Sequence, residues 1–443
     1  MPLRDLVLTA FIFGALVFVF KRPWIGVLLW HWIGLMNPHR SAWSFARDLP
    51  FAQVVGLTTG IAFLLSPEKK RFPVSALTVT LLAFIAWVCI TTIFALYPDS
   101  AVDQLQKFLK VQLGVLLTLF IMQDKERILW LVRVVVLSIA FYGVKGGLFT
   151  LRTGGTGMVL GPAGSYISGN TEIALAITMV APLLFYMAQQ AEQRWLRWAL
   201  YGALGPCAVA VIGSYSRGGL LAIVAMVFFL WLKSRKKALL LLLLPPVLLL
   251  GLSVMPQQWF ERMGTIATYQ EDSSALGRLN AWAFAWNLAQ DRPITGGGFR
   301  VFTPSAFERW APEPERFQDS HSIWFGVLGE HGYVGLALFI LFWWFTWRTA
   351  SKIIRASKGR DDLRWAGELA AMIQVSLVGY FVGGSFLGLA YWDYPYLLAV
   401  MLALTHRVVS QEVSPAPESA PRVWSPSAAV SPPSHVSKNT RSP

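Results

Sequence analysis

Long apolar blocks separated by short polar or glycine- and proline-containing stretches run through most of this chain. They fall at roughly residues 5–20, 24–36, 51–65, 76–96, 108–122, 128–150, 171–189, 198–214, 218–232, 238–255, 322–347, 366–388 and 393–407. A helix needs about 20 apolar residues to cross a hydrocarbon core. The pattern therefore predicts an all-α, polytopic integral membrane protein with about 12–13 transmembrane helices. The first two blocks are short and could form a tight hairpin or a partly re-entrant pair. The block over residues 6–20 resembles a signal peptide in length, but Lys21, Arg22 and Pro23 lead directly into the next apolar stretch with no small-residue cleavage site, so it is expected to be a retained anchor.

One stretch interrupts this rhythm. Residues 256–321 are polar and long, with a helix expected from Gly277 to about Gln290. The predicted organisation is helices over 1–255, a large outer loop over 256–321, C-terminal helices over 322–408 and a disordered cytoplasmic tail rich in serine and proline over 409–443.

Composition agrees: 55% of the 443 residues are hydrophobic and 14% charged, and no soluble globular domain is built that way. The formal charge of +14 reports topology rather than nucleic acid, because lysine and arginine collect at cytoplasmic ends. Lys69 to Arg71, Lys125 with Arg127, Arg194 with Arg197, the basic run from Lys233, and the stretch from Arg348 to Arg364 occupy alternate connections. The intervening ones, 97–107, 151–170, 214–217 and 256–321, then lie outside. In a bacterium that is the periplasm, and the membrane is the inner one. The outer loop carries six arginines, no lysine and eight acids, so its arginines need another explanation. Cys89 and Cys207 sit apart in apolar blocks, which suggests neither a disulfide framework nor a metal site.

Three constellations could carry chemistry. Ser214-Tyr215-Ser216-Arg217-Gly218-Gly219 places Arg217 at a span edge, where a charge either faces a cavity or partner or snorkels to headgroups. Gly277-Arg278-Leu279-Asn280-Ala281-Trp282 puts Arg278 in a first helical turn. There it either meets an anion or pairs with Glu271 or Asp272. Trp282, Ala285, Trp286 and Ala289 recur at helical spacing, as for a helix lying along the membrane interface with its aromatic face down. Asp319-Ser320-His321-Ser322 sets a histidine at the edge of a span, able to accept a proton near neutral pH or simply to pack at headgroup depth. Gly296-Gly297-Gly298-Phe299-Arg300 is either a flexible turn admitting a large substrate or an ordinary tight loop. The outer loops contain no Asp-x-Asp pair, His/Cys cluster or HExxH, so no metal or other cofactor is expected.

In this order and on this face, SYSRGG, GRLNAW followed by PITGGGF, and DSHSIWFGVLGEHGYVG resemble the O-antigen ligase and polymerase family of bacterial membrane glycosyltransferases, over about residues 170–345. The N-terminal RPWIGVLLWHWIGLMNPHR looks like the O-glycosylation ligases associated with exosortase sorting systems. The resemblance implies a GT-C-like fold and transfer of a glycan from undecaprenyl diphosphate to an acceptor hydroxyl on a glycan, lipid or protein, without metal or nucleotide sugar and with inversion. It implies Arg217 and Arg278 on the diphosphate, His321 as the base, and Tyr215 and Arg300 in positioning. A polymerase of the same family, a lipid-linked glycan flippase and a catalytically silent docking partner are the alternatives.

Overall fold

The computed structural model describes residues 3–233, 249, 251–264 and 273–413. Most of the span expected over 238–255, residues 234–237 of the basic run, Glu271, Asp272 and the tail beyond 413 lie outside the described residues. The described chain is helical and contains no strand: α1 Leu3–Lys21, α2 Pro23–Met36, α3 Phe51–Leu65, α4 Ala76–Ile93, α5 Pro98–Ile121, α6 Lys125–Arg152, α7 Asn170–Gln190, α8 Arg194–Ile212, α9 Arg217–Lys233, α10 Gln257–Gly264, α11 Ser273–Asp291, α12 Pro304–Trp310, α13 Ile323–Ala356, α14 Arg364–Gly384 and α15 Asp393–Val413. Eight of these are long and apolar enough to cross a membrane, and α2 and α3 are shorter apolar helices. The protein is an all-α polytopic membrane protein.

Burial sorts the helices into centre and rim. Helix α7 buries nearly every residue from Ile173 to Leu184, and α15 buries Tyr394 to Thr405 without interruption. A helix apolar and covered all round belongs at the middle of a bundle. Helix α1 instead exposes Val7, Phe11, Val17 and Phe18, as a lipid-facing helix does. Around the centre, α6 packs on α8, α7 on α8 and α14, and α13 on α4 and α14.

Two connections depart from expectation. Residues 97–107 are not a loop, because Pro98 opens α5 and its fixed φ suits a first turn. Helix α13 is broken at Gly332 (φ 68°), and no side chain would fit there, since an added methyl would lie 2.5 Å from the Ile294 carbonyl oxygen. That break frees the Gly329 and Glu330 carbonyls, which accept from the Gly297 and Gly298 amides at 2.9 and 2.8 Å. The buried glycine run is thus a packed tight loop, not a flexible turn.

The connections gather at two ends of the bundle. At one end the Arg127 guanidinium grips Glu68 at 2.8 and 2.9 Å, Arg407 donates to the Arg71 carbonyl, and Gln190 meets Glu368. At the other, Asp5 accepts from the amides of Ser44 and Ala46, Tyr142 donates to the Met36 carbonyl, and Leu96 donates to Gly297. All the candidate residues lie at this second end.

Candidate active site

The strand of chain entering α13 is held on both sides of His321. Before it, the Ser320 amide donates to Asp319 Oδ1 at 2.7 Å and the Ser320 carbonyl accepts the Trp282 indole N–H at 2.8 Å. After it, the Ser322 hydroxyl accepts from Trp324 and Phe325 as the N-cap of α13. Between these anchors His321 adopts φ 42°, a left-handed conformation that a residue with a Cβ rarely takes. Among the described residues the other non-glycine positions with positive φ are Asn37, Tyr215 and Arg300. Backbone strain of this kind gathers at sites where the surrounding structure over-determines it.

A cavity of about 540 Å³ opens beside this segment, walled by Ser320, Ser322, Asp319, Arg300, Glu330 and Tyr391, with Ser100 and Gln104 of α5 opposite. Glu330 is its most constrained group. One carboxylate oxygen accepts the Arg300 amide at 2.9 Å and the other accepts the Tyr391 hydroxyl at 2.6 Å. Burial, and then the Glu330 charge, push the Tyr391 phenol well above its ordinary value, which keeps it a donor. The exposed Arg300 guanidinium reaches Gln104 only at 3.5 Å, so its charge is presented to the cavity.

Of the residues expected from sequence, Arg300 lines this cavity and His321 stands between two lining residues. Arg217 and Arg278 are not in the wall, but their segments pack against it. Helix α11 starts at Ser273, so Arg278 falls in its second turn rather than its first, and Gly277 beside it lies on Gln318, whose side chain a methyl there would meet. Trp282 stacks on Phe325 at 5.0 Å and tilts against Phe386 at 6.2 Å, and Gly218, next to Arg217, faces Phe386. Arg217 is the first residue of α9, capped by the Ser216 hydroxyl on the Gly219 amide. The α9 and α11 motifs therefore converge on the His321 segment through two aromatic rings.

Other expectations change. Tyr215 is 6% exposed and its hydroxyl donates to the Gly155 carbonyl at 2.6 Å, so it ties two outer turns together rather than lining the cavity. The face of α11 expected to lie on lipid is in part covered by protein, with Ala285 and Ala289 buried and Trp282 stacked on Phe325. The helix also buries Ala281, Phe284 and Leu288 against Phe307 and Trp310, and Trp286 is 49% exposed. His331 is a core residue bonded to Thr91 at 2.7 Å. Four outer-loop arginines are explained by local partners: Arg262 bonds the Tyr215 carbonyl, Arg292 the Phe94 carbonyl, Arg309 covers Trp310, and Arg316 pairs with Glu313.

Sequence reasoning passed over Glu330 and Tyr391. The available signals were a lone acid in an otherwise apolar run and the aromatic cluster Tyr391-Trp392-Asp393-Tyr394 beside a span edge. Among the described residues no group of three or more His, Cys, Asp or Glu side chains comes together to hold a metal.

A family model described as O-Antigen ligase matches residues 202–340, the segment that carries all three constellations. The match supports a place in the O-antigen ligase family and a membrane glycosyltransferase-like function. Residues 3–192 match a family of unknown function (DUF5935). No curated protein matches the chain.

Proposed function

We propose that this protein transfers a glycan from undecaprenyl diphosphate to an acceptor hydroxyl at the periplasmic face of the bacterial inner membrane. The observation that carries the reading is His321, fixed in a left-handed backbone at the edge of a polar cavity, with the Arg217 and Arg278 segments packed against it. A lipid diphosphate holds its charge at headgroup depth, and a guanidinium meets phosphate oxygens bidentately without losing its proton. Arg217 adds its charge at the N-terminal end of α9, where the helix dipole favours an anion in its own right.

In the displacement, the acceptor O–H gives its proton to the His321 imidazole as the acceptor oxygen bonds to the anomeric carbon. The bond from that carbon to the phosphate oxygen breaks, and undecaprenyl diphosphate leaves with the electron pair. Attack from the face opposite the leaving group inverts the anomeric centre. Diphosphate needs no acid once guanidinium groups meet its charge, so one base suffices. Arg300 and Glu330 shape the acceptor side of the cavity. The N-terminal likeness to exosortase-associated ligases favours a protein or exopolysaccharide hydroxyl as acceptor.

The experiment is glycan transfer in proteoliposomes from undecaprenyl diphosphate donor, without nucleotide sugar. Arg217→Ala and Arg278→Ala are each expected to slow transfer by about ten- to a hundredfold, the value of a charge-assisted hydrogen bond. Unchanged turnover in both variants removes the diphosphate clamp. Donor crossing the bilayer with no transfer to any acceptor makes the protein a flippase.

A further inference from the structure

A second cavity, of about 210 Å³, lies next to the first. The chain between α14 and α15 runs along the boundary, with Ala390 and Tyr391 facing the first cavity and Trp392 and Asp393 the second. Helix α5 serves both in the same way, giving Ser100 and Gln104 to the first and Lys110 to the second. From the outer end of the bundle the second cavity descends between α2 and α5. It is removed from the α9 and α11 motifs and takes no part in the displacement described above.

Its lining has an unusual make-up for a space between membrane helices. Trp30, Tyr166 and Trp392 supply aromatic surface, and Asn37, Lys110 and Asp393 supply donors and acceptors. Lys110 and Asp393 form no ion pair with each other or with any other described residue. The Asp393 carboxyl is buried at the head of α15 and held by the Asp393 and Tyr394 amides, while Lys110 is exposed, so a polar ligand in the cavity can meet both charges. Asn37 is held in the left-handed region (φ 49°) as the C-cap of α2, its side-chain amide bonded to the Gly34 carbonyl at 2.7 Å. Tyr166 is electrostatically coupled to both cavities. Burial and then the Asp393 charge push its phenol up to about 12, while the Arg300 guanidinium pulls the other way.

We propose that this second cavity binds a single sugar unit of the glycan. A pyranose has an apolar face of C–H bonds for an aromatic ring and an equatorial belt of hydroxyls that both donate and accept. Flat aromatic walls with a few convergent polar groups suit that shape. Hydroxyls donate to Asp393 and accept from Lys110, which satisfies both charges with one neutral ligand. The volume accepts one ring rather than a repeat unit, so the cavity acts as a subsite that sets the register of a longer chain threading past Tyr391. Trp30, Asn37, Lys110 and Tyr166 all belong to the segment that matches the family of unknown function, which gives that segment a role in glycan recognition.

The sugar reading rests on glycan transfer for the source of the ring, donor or acceptor, but not for its binding. The test therefore uses full-length protein in nanodiscs and two readouts. Saturation-transfer NMR with free glucose, galactose and N-acetylglucosamine is expected to show ring-proton contact with at least one of them. The contact is lost in Asp393→Asn and Lys110→Met and kept in His321→Ala. Gly34→Ala, which places a methyl 3.4 Å from Asp393 Oδ2 while favouring the helix, is expected to weaken it without unfolding the protein. In transfer assays the three cavity variants, at Asp393, Lys110 and Gly34, raise KM for one glycan by about tenfold with kcat retained, as loss of a hydrogen bond to a charged group does. The substrate whose KM moves identifies the source. Equal sugar contact in wild type and all three cavity variants overturns the proposal. So does contact that appears only when phosphatidylethanolamine is removed, which makes the cavity a zwitterionic lipid site. Sugar contact in a wild-type protein that transfers no glycan to any acceptor overturns the enzyme reading alone.

Discussion

The basic end of this bundle and the walls of the two cavities at its other end handle charge in opposite ways. At the basic end, charged groups meet each other: Arg127 holds Glu68 and Asp124, and Arg364 holds Glu368 at 2.7 Å. At the cavity end Arg300 reaches only a distant amide, and Lys110 and Asp393 have no ion partner. Backbone conformation divides the same way. Asn37, Tyr215, Arg300 and His321, the described non-glycine residues with positive φ, are all at the cavity end. One end is held together by paired charges, and the cavity walls at the other hold polar groups facing space. The lesson is that a charged residue near a membrane surface means little until its partners are known.

Substitutions at three positions sharpen or break this contrast. The largest effect belongs to His321→Ala, which is expected to cut glycan transfer by about 10²- to 10⁴-fold, the contribution of a general base, with unfolding temperature unchanged. Transfer at the wild-type rate removes the base assignment and leaves the strained loop as architecture.

Glu330→Ala comes next. It strips acceptors from the Arg300 amide and the Tyr391 hydroxyl together, and transfer should fall by roughly ten- to a hundredfold through loss of two hydrogen bonds at a buried carboxyl. Because Glu330 acts through its neighbours, Glu330→Gln is expected to recover part of kcat, its amide oxygen still accepting from Arg300. A variant series in which glutamine is no better than alanine would show that the charge itself is needed.

The smallest effect is expected at the opposite end. Glu68→Gln breaks a partly exposed ion pair and should cost about 0.2–1 kcal/mol of stability, measured by thermal unfolding, with transfer unaltered. A loss of transfer there would mean that the two ends are coupled through the helices.

Several members of the candidate site were legible before the fold. His321, Arg217 and Arg278 stand out because each sits in a short polar motif against an apolar block, and the helices do bring those motifs together. The resemblance gives Arg300 only a positioning role, and the structure sets it in the cavity wall with its side chain exposed. Tyr215 has the right address and a different task, because its hydroxyl is committed to Gly155. The glycine run offered two readings from sequence alone, and only the break at Gly332 chooses between them.

The chain's own pattern determined the helices, the alternation of basic connections and the single long polar loop. Each depends on transfer from water to hydrocarbon, and that free energy accumulates residue by residue along a segment. The walls of the two cavities depend on something else. Glu330 meets Tyr391 across 61 residues and Arg300 meets Gln104 across 196, and such pairs exist only once helices pack in one register. Local hydrophobicity carries no record of that register. It is decided by side-chain fit between elements distant in sequence, and so Glu330, Tyr391 and the second cavity came into view only in the folded protein.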